Sequence, residues 1–181
     1  MIETVRGIET ARSYFVYIRE KDGARTEIVE RCTRHGRPYG DPTNLHTETR
    51  YYATETDGPQ AGRIHTRLTA DGRLATYQYE YGRLHLAFTP ADNRFIPGQG
   101  KALRTTVTHG TPEHPQGIAR KTVRETTITD AMGREKLLET YIDTEEGFVR
   151  IDWQLNTKFV GKKIHYFDID SCSIILVFCT F

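Results

Sequence analysis

The stretch from Gly62 to Leu84, GRIHTRLTADGRLATYQYEYGRL, decides the fold class. A Gly-Arg-aliphatic triplet opens this stretch and returns at Gly72 and again at Gly82. Between the second and third triplets, tyrosine alternates with other residues from Tyr77 to Tyr81. Because successive side chains of a strand point to opposite faces, this alternation predicts a strand whose tyrosine face is packed. The repeated triplets predict an all-β fold of successive antiparallel hairpins.

Turn signals punctuate the rest of the chain, and β-branched or aromatic runs separate them. They lie at Asp22-Gly23, His35-Gly36, Asp57-Gly58-Pro59, Asp71-Gly72, Tyr81-Gly82, Pro97-Gly98 and Gly133. Tyr14–Ile18 and Thr26–Val29 flank the first signal and predict a hairpin. The spacing of the signals predicts about ten to twelve strands in all.

Composition excludes several classes of protein. The chain has 181 residues, 37% hydrophobic and 27% charged, which is typical of a globular domain with a modest core. Its 25 basic and 24 acidic residues are mixed along the whole length, so no basic stripe is available for nucleic acid or anionic lipid. We therefore expect no nucleic-acid partner.

The two ends and the cysteines bear on localisation. Residues 1–12 lack the apolar core of a secretory signal peptide, and no compartment is predicted. Ile174–Phe178 is apolar but far shorter than the roughly 20 residues that cross a bilayer, so no membrane span is expected. Cys32, Cys172 and Cys179 have no C-x-x-C spacing and predict neither a zinc site nor a disulfide framework. Two interpretations of residues 171–181 stay open: a final edge strand, or the product of a truncated or frame-shifted end.

No constellation of residues predicts a metal or cofactor site. Among the seven histidines, only His109 and His114 are close in sequence. Gly98-Gln99-Gly100 lacks both the third glycine and the following helix of a dinucleotide-binding loop. We expect no metal ligand and no cofactor.

Nucleophilic and acid-base catalysis have little support as well. Cys32 and His35 are three residues apart, and in a strand their side chains should point to opposite faces. Glu145-Glu146 and the pair Asp168 and Asp170 could suggest a glycosidase, but solvated turns explain them more simply. We expect no catalytic residues.

The segment Tyr77-Gln78-Tyr79-Glu80-Tyr81-Gly82-Arg83-Leu84, preceded by Ala70-Asp71-Gly72-Arg73, resembles the tyrosine-aspartate (YD) repeat of RHS proteins. The usual repeat is Tyr-x-Tyr-Asp, two or three residues, then Gly-Arg-Leu. Here Glu80 replaces the aspartate and the spacer is shorter. Thr129–Arg134 is similar to the Asp-x-x-Gly-Arg half of the unit.

The resemblance to RHS and teneurin-like proteins implies hairpins that stack into a twisted, spiralling sheet, part of a hollow β-shell. In bacterial members that shell can enclose a toxin domain, and the family is often secreted or found at the cell surface. The resemblance implies a fragment of a larger shell protein, whose partners are neighbouring repeats of the same or parent polypeptide, an enclosed toxin domain or a surface glycan. It also implies three regions: a lead-in at 1–11, the repeat region at 12–170 and an apolar tail at 171–181.

The residues of the repeat motif are expected to be structural. The glycines permit turns, the tyrosines pack, and the arginines contact a carboxylate or a turn carbonyl. They are Gly62, Arg63, Asp71, Gly72, Arg73, Tyr77, Tyr79, Gly82, Arg83, Asp130, Gly133 and Arg134.

We therefore expect a non-catalytic wall segment of an RHS-type β-shell. The alternative is a carbohydrate-binding β module that stacks sugars on exposed tyrosines. A small β-fold hydrolase is a third interpretation, although it would require a pocket with convergent titratable groups.

Overall fold

A computed structural model describes the chain except residues 7, 86–93, 116–121, 145, 157–161, 170–171 and 180–181. The described residues contain no helix, and the all-β prediction is confirmed. No helix among the described residues is long and apolar enough to cross a membrane. The strands are β1 (Ile2–Val5), β2 (Ile8–Arg19), β3 (Arg25–Arg31), β4 (Leu45–Tyr51), β5 (Ile64–Leu68), β6 (Leu74–His85), β7 (Arg94–Pro97), β8 (Ala102–Gly110), β9 (Val123–Thr129), β10 (Glu135–Thr144), β11 (Gly147–Asn156), β12 (Lys162–Ile169) and β13 (Cys172–Cys179).

The chain divides into two compact units. The first unit comprises Met1–Thr76 and Gly110–Pro115. Its strands β1 to β5 each pair antiparallel with the next strand in sequence, and β5 pairs with the start of β6. This meander confirms the predicted succession of hairpins, including the first one between β2 and β3.

The second unit comprises Tyr77–His109 and Gln116–Phe181. Its strand order is β6-β8-β9-β10-β11-β12-β13, with β7 paired to β6. Ile128, Leu137 and Trp153 form the buried core of this unit. Leu137 lies opposite Ile128 on β9 and opposite Leu155 on β11, so three neighbouring strands supply one apolar row.

The predicted turn at Tyr81-Gly82 is wrong, because β6 continues through it to His85. Gly82 is buried and pairs with Pro97 of β7, a strand that the turn signals did not predict. A Cβ atom at Gly82 would lie 2.4 Å from Phe95 Cζ and 2.5 Å from the Ile96 carbonyl oxygen. Close approach of β7, and not a turn, is the reason for glycine at this position.

The predicted packing of the tyrosine face is only partly correct. Tyr77 and Tyr79 are half-buried, but Tyr81 is 45% exposed. Thr76, on the opposite face, is 7% exposed, and its hydroxyl donates to the Pro115 carbonyl at 3.1 Å. The alternation of the sequence therefore does not mark one packed and one solvated face of β6.

Both ends of the chain contribute strands. The predicted lead-in, residues 1–11, contains β1 and the beginning of β2. The apolar tail contains β13, which pairs with β12 along its whole length and ends the strand order. Glu145 and Asp170, which the sequence raised as candidate acids, lie outside the described residues.

Candidate functional site

Three hairpin turns share one backbone geometry. In each, the amide of the first residue donates to the carbonyl of the fifth, and the amide of the fourth donates to the carbonyl of the first. The turns are 20–24, 69–73 and 130–134. The fourth residue is Gly23, Gly72 or Gly133, with φ of 83°, 82° and 75°. This left-handed conformation belongs to a three-residue hairpin loop with a bulge, and glycine adopts it without strain.

An aspartate stabilises the last of these turns. Asp130 Oδ1 accepts hydrogen bonds from the amides of Met132 at 2.9 Å and Arg134 at 3.0 Å, and Arg134 Nε donates to Oδ2 at 2.8 Å. The hydrogen bond from Arg134 holds the pKa of Asp130 at about 2. The carboxylate is thus ionised and largely neutralised by its own turn.

Asp71 occupies a different position, the third residue of its turn. It accepts a hydrogen bond from the hydroxyl of Thr69, which lowers its pKa, and Arg73 Nε lies 3.1 Å from its Oδ2. The amide of Arg73 is 3.4 Å from Oδ1, a weak contact. Arg73 and Arg134 therefore contact a carboxylate within their own turn, as the sequence predicts.

Gly62 and Arg63 lie in a wider loop between β4 and β5. Gly62 has a φ of 66°, and the Arg63 carbonyl accepts from the amide of Tyr52 at 2.8 Å. Arg63 Nε donates to the Pro59 carbonyl at 2.7 Å. Gly62, Gly72 and Gly82 thus occupy a loop, a tight turn and a strand interior, so the ten-residue sequence period is not a structural period.

Three of the predicted motif residues line one cavity in the second unit. Gly82, Arg83 and Asp130 surround a cavity of about 340 Å³. Leu84, Thr129 and Ala131, which belong to the segments that carry the resemblance, also line it. The sequence did not single out the remaining lining residues: Lys101, Ala102, Ile128 and Lys136.

One face of the sheet in the first unit carries exposed apolar side chains beside the charged Glu27 and Arg31. Phe15 pairs with Val29, and residues that lie directly opposite each other share a face. Leu45 lies opposite Arg31, two residues from Val29, and Tyr17 follows Phe15 by two, so all four side chains lie on this face. Phe15 and Leu45 are both 47% exposed, Val29 is 37% exposed and Tyr17 is 73% exposed. We call these four residues the exposed face.

The opposite face of the same sheet carries a buried carboxylate. Glu30 is 5% exposed and accepts from the Gly40 amide at 2.8 Å and from Asn44 Nδ2 at 3.2 Å, while His46 Nδ1 lies 3.3 Å away. Burial alone raises the pKa of Glu30, but Gly40, Asn44 and His46 together lower it below its usual value. The ionised side chain therefore fixes the loop between β3 and β4.

Cys32 and His35 lie in the loop after β3, which ends at Arg31, so the prediction that their side chains point to opposite faces of a strand was wrong. Both line a small cavity together with Glu9, whose Oε1 lies 3.6 Å from His35 Nδ1. The thiol donates to the Arg37 carbonyl at 3.3 Å, which also accepts from the Tyr14 hydroxyl at 2.8 Å. Both hydrogen bonds stabilise the loop between β3 and β4, so we interpret Cys32 as a structural residue.

Polar side chains extend the core of the second unit. Arg150 Nη1 donates to Glu139 Oε1 at 2.9 Å, and Glu139 is 8% exposed. Burial, followed by the nearby Glu139 carboxylate, raises the pKa of Tyr141 to about 12. The guanidinium of Arg124 lies 3.5 Å from the ring centre of Phe148. These contacts pair Glu139 and place Arg124 against an aromatic ring, but the buried Nε of Arg124 has no hydrogen-bond partner.

The histidines of the described residues do not gather around a common centre. His109 Nε2 lies 3.6 Å from Glu125 Oε2, and the backbones of His114 and Thr111 pair in a separate turn. Across the parts of the chain that the structure describes, no three His, Cys, Asp or Glu side chains are grouped to hold a metal ion.

No family model, curated protein or solved structure matches this chain.

Proposed function

We propose that this chain is a non-catalytic wall segment of an RHS-type β-shell, in which neighbouring repeats cover surfaces that one segment leaves open. The observation that carries the proposal is the meander. Every strand except β7 pairs with the next strand of the sequence, since β8 pairs with β6 instead, and three of the hairpins use the same glycine turn. A wall built by adding hairpins to the end of a growing sheet requires this kind of unit.

The exposed face supports the same proposal. Monomeric proteins seldom leave large apolar side chains grouped on a sheet, and such groups commonly mark interaction surfaces. Phe15, Val29 and Leu45 are each more than a third exposed, while the first unit contributes none of the fully buried apolar side chains among the described residues. The first unit therefore has apolar surface that further polypeptide, either adjacent repeats or an enclosed domain, would cover.

The deciding experiment is to sequence the DNA on both sides of this reading frame and to translate every frame. If further Gly-Arg and tyrosine-aspartate units are encoded on either side, or in another reading frame after Asp170, the chain is a piece of a shell protein. Flanks without coding sequence would reject the wall proposal. The same result would also decide between the two interpretations of residues 171–181.

A carbohydrate-binding module is the second candidate, and Tyr17 favours it. Tyr17 is 73% exposed and follows Phe15 on the exposed face, so two aromatic rings are accessible to a sugar. The tyrosines that the sequence suggested, Tyr77 and Tyr79, are half-buried and less suitable.

NMR titration with a panel of oligosaccharides tests this candidate. Trp153 is 7% exposed, so tryptophan fluorescence would be a poor reporter. Saturable chemical-shift changes at Phe15 and Val29 that disappear in Tyr17→Ala but not in the matched Tyr39→Ala would support sugar binding. Absence of saturable changes across the panel would exclude it for those sugars and leave the wall proposal.

A further inference from the structure

The cavity of the second unit, lined by Gly82, Lys101, Ile128, Ala131 and Lys136 among others, has an apolar floor. Ile128 is 1% exposed and belongs to the core, and Leu84 and Ala102 pack against that core. The volume of about 340 Å³ lies in the range of small-molecule sites, which are mostly apolar with a few polar groups. The floor therefore favours the apolar body of a ligand.

Cationic residues contribute to the rim of the cavity, while its accessible wall is mainly apolar. Arg83, Lys101 and Lys136 all line it, and Asp130 is its one carboxylate. Asp130 is already neutralised by Arg134, whose Nη2 lies 2.7 Å from Oδ2. Lys136 Nζ forms an ion pair with the same oxygen at 3.7 Å, a distance too long for a direct hydrogen bond.

Arg83 and Lys101 have no ion-pair partner among the described residues. Three cations against one neutralised carboxylate leave the cavity complementary to a negative charge. An uncharged ligand would use the floor but not the lining cations.

We infer that this cavity binds a small amphipathic anion, with an apolar body against Leu84 and Ala102 and one anionic group beside Lys101 and Lys136. The ligand class includes aromatic or aliphatic carboxylates and sulfonates. This inference goes beyond the wall role and depends on the cavity alone.

The test compares two fluorescent probes that share one aromatic frame. 1-Anilinonaphthalene-8-sulfonate carries a negative charge, and N-phenyl-1-naphthylamine does not. The wild-type chain should bind the sulfonate at a saturable site about tenfold more tightly than the neutral probe, because only the sulfonate engages the cations.

Two variants separate the roles of charge and floor. Lys101→Glu should weaken sulfonate binding about fivefold and leave the neutral probe unchanged, since the lysine is exposed and contributes charge. Ala131→Trp should weaken both probes, because the larger side chain occupies the cavity. Lys21→Glu is the matched control, an exposed residue of another turn with the same change in net charge.

The exposed face of the first unit could also bind either probe, but such binding would not respond to Lys101 or Ala131. Equal affinity for the two probes, or equal effects of Lys101→Glu and Lys21→Glu, would overturn the inference. Near-UV circular dichroism of each variant establishes that its fold is intact.

Discussion

At the scale of single residues, Gly72 and Gly82 are equivalent in the sequence repeat but not in the structure. Gly72 has a φ of 82° with no atom within 4 Å of a built Cβ, so only its backbone conformation requires glycine. At Gly82 the φ is unexceptional, and the requirement is space beside Phe95 and Ile96. The order in which alanine and asparagine destabilise the fold should therefore be reversed between the two sites.

We expect asparagine to be better tolerated than alanine at Gly72, because asparagine adopts the left-handed region more readily. At Gly82, alanine should cost about 1 to 3 kcal/mol of unfolding free energy, and the larger asparagine more. Urea unfolding of the four variants measures this. The same order of Ala and Asn at both positions would contradict the assignment of Gly82 to close packing.

Glu30 should make the stability of the chain depend on acid pH. Its pKa in the folded state is below the usual 4.5, so its contribution is complete above pH 4.5 and is lost as pH falls through the folded value. Glu30→Gln should cost about 1 to 3 kcal/mol at pH 7, because a buried charge-assisted network is weakened.

The free-energy difference between wild type and Glu30→Gln should shrink as the pH is lowered below 4.5. Urea unfolding across that range measures it, with the exposed Glu55→Gln as the control. A free-energy difference that stays constant down to pH 2 would mean that the Glu30 carboxylate does not stabilise the loop between β3 and β4.

At the scale of elements, the turns 69–73 and 130–134 differ in how much the aspartate side chain contributes. Asp130 accepts from two backbone amides and from Arg134 within 3.0 Å, whereas the amide contact of Asp71 is 3.4 Å long. Asp130→Ala should therefore lower the Tm about twice as much as Asp71→Ala.

Thermal unfolding followed by circular dichroism compares the two alanine variants. Asp130→Asn serves as an intermediate case, since its amide oxygen can still accept from Met132 and Arg134 while the ion pair is lost. Equal losses for Asp71→Ala and Asp130→Ala would show that the side-chain contacts are secondary to the glycine conformation in both turns.

The same turns show what the sequence could predict. Asp-Gly pairs between β-branched runs identify hairpins because local backbone conformation decides them. Gly82 could not be distinguished from Gly72, because its requirement comes from β7, which pairs from farther along the chain. Lys101 and Lys136 were missed for the same reason, since only the pairing of strands brings them to one cavity with Asp130. Local signals thus predicted the elements, while the sites depend on pairing between them.

At the scale of the whole molecule, the exposed face has a consequence for the chain expressed alone. Each exposed residue leaves apolar area in water, and a second copy could cover it in place of the proposed neighbouring repeats. We expect wild-type protein to associate as its concentration rises, and Val29→Lys or Leu45→Lys to weaken that association about tenfold.

Sedimentation velocity at several concentrations measures the association. Val149→Lys is the matched control, because Val149 is 48% exposed but belongs to the second unit and is not part of the exposed face. Association lost in the Val29 and Leu45 variants and retained in Val149→Lys would assign the contact to the exposed face. A wild-type chain that stays monomeric at every concentration would mean that this face is stable in water. The exposed face would then no longer be a reason to require neighbouring repeats, and only the meander would support a wall.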